Sequence, residues 1–125
     1  MRDDPYGYCK IFVNAAHPEL VKSMLADLLG GIFHRRDMLI DGLAVSVLRN
    51  DDAAEPPRAE DDFVRWPLLI ELDAEEPATA GRMRVTTARI LTALWASSHP
   101  AVAACDFEDE LPWRGGIARI GQPPR

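Results

Sequence analysis

The residues of this chain that could do chemistry are mostly carboxylates, and they are gathered. Of its twenty Asp and Glu side chains, ten lie in residues 51–76 and four in residues 106–110. The second group reads Cys105-Asp106-Phe107-Glu108-Asp109-Glu110-Leu111-Pro112-Trp113. Held extended, its two-residue period puts Asp106, Glu108 and Glu110 on one face and Phe107 and Asp109 on the other. Three carboxylates on one face offer oxygen ligands to a hard divalent ion. The calcium-hand spacing, with its Gly and terminal Glu at fixed offsets, is missing, so no metal and no cofactor is assigned. A carboxyl pair for general acid–base work could be drawn from Glu71, Asp73, Asp106 and Glu108, all near strand ends, but spacing alone brings no two of them together. The cluster reads as a solvated acidic turn with no ligand or as a docking surface, the latter with Asp106, Glu108, Asp109, Glu110 and Trp113 as the contacts. Such a row of like charges repels itself in the free protein, so replacing Glu108 and Glu110 by Gln is expected to leave stability unchanged or slightly improved.

Other catalytic patterns are absent. Cys9 and Cys105 each stand in an apolar, strand-like run, as buried thiols acting as small hydrophobes do. The carboxylates after Cys105 are expected to raise its pKa, against a reactive thiolate. The three histidines, His17, His34 and His99, lack metal-ligand spacing, and two precede Pro at element boundaries. There is no glycine-rich phosphate loop and no Ser in a nucleophile-elbow context. No catalytic residue is assigned, and a non-enzymatic role is favoured.

At 125 residues, 47% hydrophobic and 27% charged, the chain suits one globular domain covering residues 1–125. No apolar run approaches the length needed to span a bilayer. Met1-Arg2-Asp3-Asp4-Pro5 lacks the regions of a signal peptide, so a cytoplasmic location is expected. A net charge of −6 argues against general nucleic-acid binding, which needs a basic face. A basic protein would instead be drawn to the acidic side.

The elements that must position these groups follow from periodicity. Tyr8-Cys9-Lys10-Ile11-Phe12-Val13-Asn14 reads as a strand. His17-Pro18-Glu19 opens a helix with Leu20, Val21, Met24, Leu25, Leu28 and Leu29 at helical spacing, stopped by Gly30-Gly31. Ile32 to Ile40 and Leu43 to Arg49 form a hairpin about Asp41-Gly42. Residues 50–62 form an acidic, flexible loop. Trp66, Leu68, Ile70 and Leu72 then alternate as one apolar strand face, with Pro67 pushing that part to an edge or bulge. Glu75-Glu76-Pro77 opens a second helix carrying Met83, Thr87, Ile90, Leu91, Leu94 and Trp95 on one side. Ala101 to Cys105 reads as a last, central strand, followed by a loop-like tail over 113–125. The order predicts a two-layer α/β (α+β) sandwich: a mixed five-stranded sheet with two helices on one face, ferredoxin-like with an added strand.

The first strand, the Phe63-Val64-Arg65-Trp66-Pro67 run and the late Cys105-to-Pro112 segment together resemble small actinobacterial-type proteins, some of them similar to immunity proteins of polymorphic or contact-dependent toxin systems. That resemblance implies a toxin domain as the basic partner, its active site covered by the acidic segment, with the 51–62 acids as outer steering charge. The alternatives are a small enzyme or divalent-metal-binding protein with strand-end carboxylates, and a homo-oligomer kept soluble by its acidic segment.

Overall fold

The structure, a computed structural model, describes residues 5–53, 62–75 and 80–119. The first four residues, Glu55, Glu60 and Asp61 of the acidic loop and the Glu76-Pro77 helix opening lie outside the described residues. Along the chain come β1 (Tyr8–Val13), α1 (Pro18–Leu29), β2 (Asp37–Ile40), β3 (Leu43–Arg49), β4 (Leu68–Ala74), α2 (Ala80–Ala96) and β5 (Ala101–Ala104). The sheet has the order β2-β3-β4-β1-β5. Without β2 this is the strand order of a ferredoxin-like sandwich, and β2 is the added strand. The crossover through α1 runs from β1 past β4 and β3 to β2, and that through α2 runs from β4 past β1 to β5, so β4 separates β1 from β3 and β1 separates β4 from β5. Strands that run parallel therefore never become adjacent, and the sheet is antiparallel throughout rather than mixed.

Strand alternation sorts the side chains into two faces. Cys9, Ile11 and Val13 of β1, Val45 and Val47 of β3, Leu68, Ile70 and Leu72 of β4, and Ala101 and Ala103 of β5 pack with Val21 and Leu25 of α1 and Met83, Ile90, Leu91 and Leu94 of α2 in one core. Both helices thus cover the same face. On the other face a smaller cluster joins Phe12, Val102 and Trp66, with Phe63 and Leu69 against it.

The local chemistry explains most of the element boundaries. Extended His17 precedes Pro18 at the start of α1, and Gly30 ends it with φ 75° and an N–H to the carbonyl of Ala26 at 2.9 Å. Arg89 of α2 donates to the carbonyl of Leu28 at 2.8 Å, taking up one of the carbonyls orphaned at the end of α1. Only Val21 and Leu25 are fully buried in α1, and Leu20, expected on the apolar face, is 49% exposed. Asp41 and Gly42 both have positive φ, 52° and 82°, as the tight β2–β3 turn requires.

Three expectations are corrected. The first hairpin strand begins at Asp37, not Ile32: His34 folds back to exchange backbone hydrogen bonds of 2.8 and 3.2 Å with Asp37, leaving Ile32 exposed. Trp66 does not share a face with Leu68, Ile70 and Leu72. Residues 63–65 form a 3-10 turn, β4 starts after Pro67, and Trp66 enters the second cluster. Pro67 consequently marks a strand's beginning, and β4 itself is central.

β5 is not central but lies at the sheet's edge, where the tail covers it. Trp113, Arg114, Gly115 and Gly116 all have positive φ, turning the chain back on β5. A Cβ at Gly115 would meet the carbonyl oxygen of Ala103 at 3.1 Å, and one at Gly116 that of Ala101 at 2.4 Å. This strap accounts for the fully apolar β5: its outer side is protein, not water.

Leu25→Ala is expected to cost about 2–5 kcal/mol of stability by opening a cavity between α1 and the sheet. The Lys22 side chain is only 18% exposed, so the control is the exposed Ser23: Ser23→Ala should shift the urea midpoint little, and equal midpoints for the two variants would contradict the helix packing.

Candidate functional site

The registers place two acidic strand ends around the start of β1. Tyr8 stands opposite Asp73 of β4, and Lys10 opposite both Glu71 of β4 and Ala104 of β5. The last residues of β4 and the segment leaving β5 therefore emerge at the same end of the sheet, with β1 between them, about 10 Å apart across two strand spacings. Glu71 and Asp73 point to the face without helices. Residues 108–110 turn towards α2, where Glu110 meets Arg84 at 4.0 Å. The Asp41-Gly42 turn joins this end through the Glu75 N–H, which donates to the Gly42 carbonyl at 2.8 Å.

On the open face Glu71 sits in a polar row formed by Asp37, Ser46, Glu71 and Lys10 on four successive strands. The Tyr8 hydroxyl donates to Glu71 at 2.9 Å, and Ser46 donates to Asp37 at 2.7 Å. Partial burial, then the hydrogen bond to Glu71 and its charge, raise the Tyr8 phenol well above its ordinary value, so Tyr8 acts as a neutral donor.

The acidic segment is not extended. Phe107, 1% exposed, and Leu111 anchor it in the core, and the residues between them close a 3-10 turn through Glu110 N–H to Phe107 O at 2.9 Å and Leu111 N–H to Glu108 O at 3.1 Å. Two inward apolar side chains four apart override the two-residue period, so Asp106, Glu108 and Glu110 do not form one free row. Tyr6 stacks on Phe107 with ring centroids 5.2 Å apart and donates its hydroxyl to Glu110 at 2.6 Å. Glu108 accepts the Cys105 N–H at 3.2 Å, and Asp109 pairs with Arg114 at 3.2 Å. Asp106 is exposed. Trp113 is 42% exposed at the border of the turn, with the Arg119 guanidinium over its ring at 5.6 Å and over the Trp95 ring at 4.7 Å.

The expected steering charge lies elsewhere. Asp51, Asp52 and Asp62 flank the end of β3 and the start of β4, about 20 Å from the acidic turn along the length of β4. Asn50, read only as part of the acidic loop, is buried there: its amide donates to the carbonyls of Val64 and Trp66 at 2.9 and 2.8 Å, and its oxygen accepts the Asp52 N–H at 3.0 Å. Its position between a strand and a turn was the available signal. Among the described residues no three His, Cys, Asp or Glu side chains are grouped to hold a metal ion.

Cys105 also departs from expectation. A hydrogen bond from the Cys9 thiol, helped by one from the Phe107 backbone, holds its pKa below the ordinary thiol value, outweighing burial and the charges of Glu108 and Asp106. The largest influence comes from across the sheet rather than along the sequence.

Because Glu108 and Glu110 are held by partners, neutralising them no longer relieves repulsion. Tyr6→Phe and Glu110→Gln should each cost about 1 kcal/mol in denaturant unfolding and should be less than additive when combined. Gly116→Ala should cost about 2 kcal/mol or more, because its Cβ would strike the Ala101 carbonyl at a positive φ. No protein-family model, no curated protein and no solved structure matches the chain, so the reading of this site rests on its geometry.

Proposed function

We propose that the protein is a non-enzymatic binding module that receives a basic protein surface at the end of the sheet where β4 and β5 finish. The observation that carries this reading is that Glu71, Asp73 and Glu75 and the 106–110 turn lie at one end of the sheet, flanking the start of β1 on its two faces, where carboxylates outnumber the described cations Lys10, Arg82, Arg84 and Arg114. Several of these carboxylates are already oriented: Tyr8 holds Glu71, Tyr6 and Arg84 hold Glu110, and Arg114 holds Asp109. A basic partner meeting oriented acceptors loses less side-chain freedom on binding than one meeting mobile chains. Exposed Asp106, together with Trp113 at the border, supplies the group to be desolvated and the aromatic to be covered. Within this class the partner is a basic toxin domain whose catalytic surface the acidic end would cover.

The test begins with affinity capture from the native cell and continues with binding kinetics of the captured protein at two salt concentrations. Asp106→Asn with Asp109→Asn should weaken binding about tenfold or more and flatten its salt dependence. Neutralising Asp51 and Asp52 at the far end should change the association rate alone. Undiminished affinity in the Asp106/Asp109 variant, with its fold intact by circular dichroism, would refute the assignment.

A further inference from the structure

Cys9 and Cys105 are separated by most of the chain, yet the sheet sets them face to face. The β1–β5 register pairs Val13 with Ala101, Ile11 with Ala103 and Lys10 with Ala104, and its continuation by one step past the end of β5 brings Cys9 opposite Cys105. Which kind of pair this is follows from neighbouring hydrogen bonds. The Asn14 N–H donates to the Pro100 carbonyl at 2.9 Å, so the even-numbered residues of β1 bond towards β5. The Ala74 N–H donates to the Gly7 carbonyl at 2.9 Å, so the odd-numbered ones bond towards β4. Cys9 and Cys105 therefore form a pair without mutual backbone hydrogen bonds, the closer of the two antiparallel pair types, with Cα atoms about 4.5 Å apart. The Cys105 N–H confirms the phase by pointing away from β1 to the Glu108 carboxylate at 3.2 Å. Such a separation lies inside the range a disulfide spans, and both side chains project to the same face.

The two sulfurs differ in setting. Cys9 is fully buried beneath α2, whereas Cys105 is half-buried where β5 gives way to the acidic turn. The Cys9 thiol donates to the Lys10 carbonyl at 3.9 Å, the Thr87 hydroxyl of α2 donates to the Met83 sulfur at 3.8 Å, and the two cysteines influence each other's titration.

We propose that Cys9 and Cys105 are an oxidative modification site, a cross-strand dithiol that a hydroperoxide converts to a disulfide within the folded protein. The Cys105 thiolate attacks one peroxide oxygen, forming an S–O bond as the O–O bond breaks. The leaving hydroxide takes a proton and departs as water, and Cys105 becomes a sulfenic acid. The Cys9 sulfur then attacks that of Cys105, forming the S–S bond as the S–O bond breaks, and the second hydroxide leaves as water with the Cys9 proton. Two thiols have lost two electrons and two protons, and one hydrogen peroxide has become two waters. The order of attack follows from access, and it agrees with the lowered pKa of Cys105 and the raised one of Cys9. Because the disulfide closes a loop over most of the chain, it restricts the unfolded state strongly. It also clamps the residue from which the acidic turn departs, although the site itself does not depend on the binding role proposed for that turn.

The experiment treats the folded, reduced protein with hydrogen peroxide and follows intact mass, thiol titration after denaturation, and thermal unfolding. Expected are a monomer lighter by two hydrogens, loss of both titratable thiols, reversal by dithiothreitol and a midpoint raised by about 5 °C or more. Cys9→Ala should instead accumulate a sulfenic acid at Cys105 that dimedone labels, and Cys105→Ser should leave Cys9 unmodified. The wild-type measurement decides the matter even where a variant fails to fold. Retention of both thiols in excess peroxide, sulfinic acid at Cys105 beside an intact Cys9, or disulfides only between chains would each overturn the proposal.

Discussion

β1 lies between β4 and β5 and sends its peptide groups alternately to one and the other, while its side chains alternate between the helix layer and the open face. This double alternation organises the rest of the molecule. Bonding on both sides is what draws the ends of β4 and β5 to the same end of the sheet, since each is antiparallel to the strand between them. The same alternation sends Cys9, Ile11 and Val13 into the main core and Tyr8, Lys10 and Phe12 to the other face. A one-residue slip of β1 would place Lys10 under α2, and the cost of burying that ammonium fixes the register.

Tyr6 and Tyr8, one just ahead of β1 and one within it, each give a hydroxyl to a carboxylate of a different neighbouring segment. The acidic end is therefore not a set of charges left over at the surface. Neutral phenols hold Glu71 and Glu110 without cancelling their charge, so the field survives while the side chains lose freedom. Arg84 and Arg114 act differently, because ion pairing at exposed positions both orients and partly neutralises.

Much of the architecture was legible in the sequence because it rests on local signals: the Pro18 start and Gly30 stop of α1, the Asp41-Gly42 turn, and the apolar stripe from Met83 to Leu94. The errors came where a distant segment decides. Ala101 to Ala104 has the composition of a central strand, and only the return of Gly115 and Gly116 makes an edge strand look that way. Trp66 fits the alternation of Leu68, Ile70 and Leu72, but Pro67 interrupts the ladder before the pattern can extend to it. The acidic turn followed its two buried anchors, Phe107 and Leu111, rather than the period of its charges. Most simply of all, two cysteines far apart in the sequence carry no sign that a register will set them opposite one another.

The strap over β5 gives the molecule a boundary condition. Edge strands with open peptide groups invite further strands from other chains. Here one edge is met by the backbone of His34 at Asp37, and the other is walled off by a run of left-handed residues ending in two glycines that sit against the carbonyls of Ala101 and Ala103. A protease cut within residues 112–116 would remove little of the core and yet open the β5 edge as a template. Protection of the β5 edge against pairing with another chain thus falls to a few residues just beyond that strand.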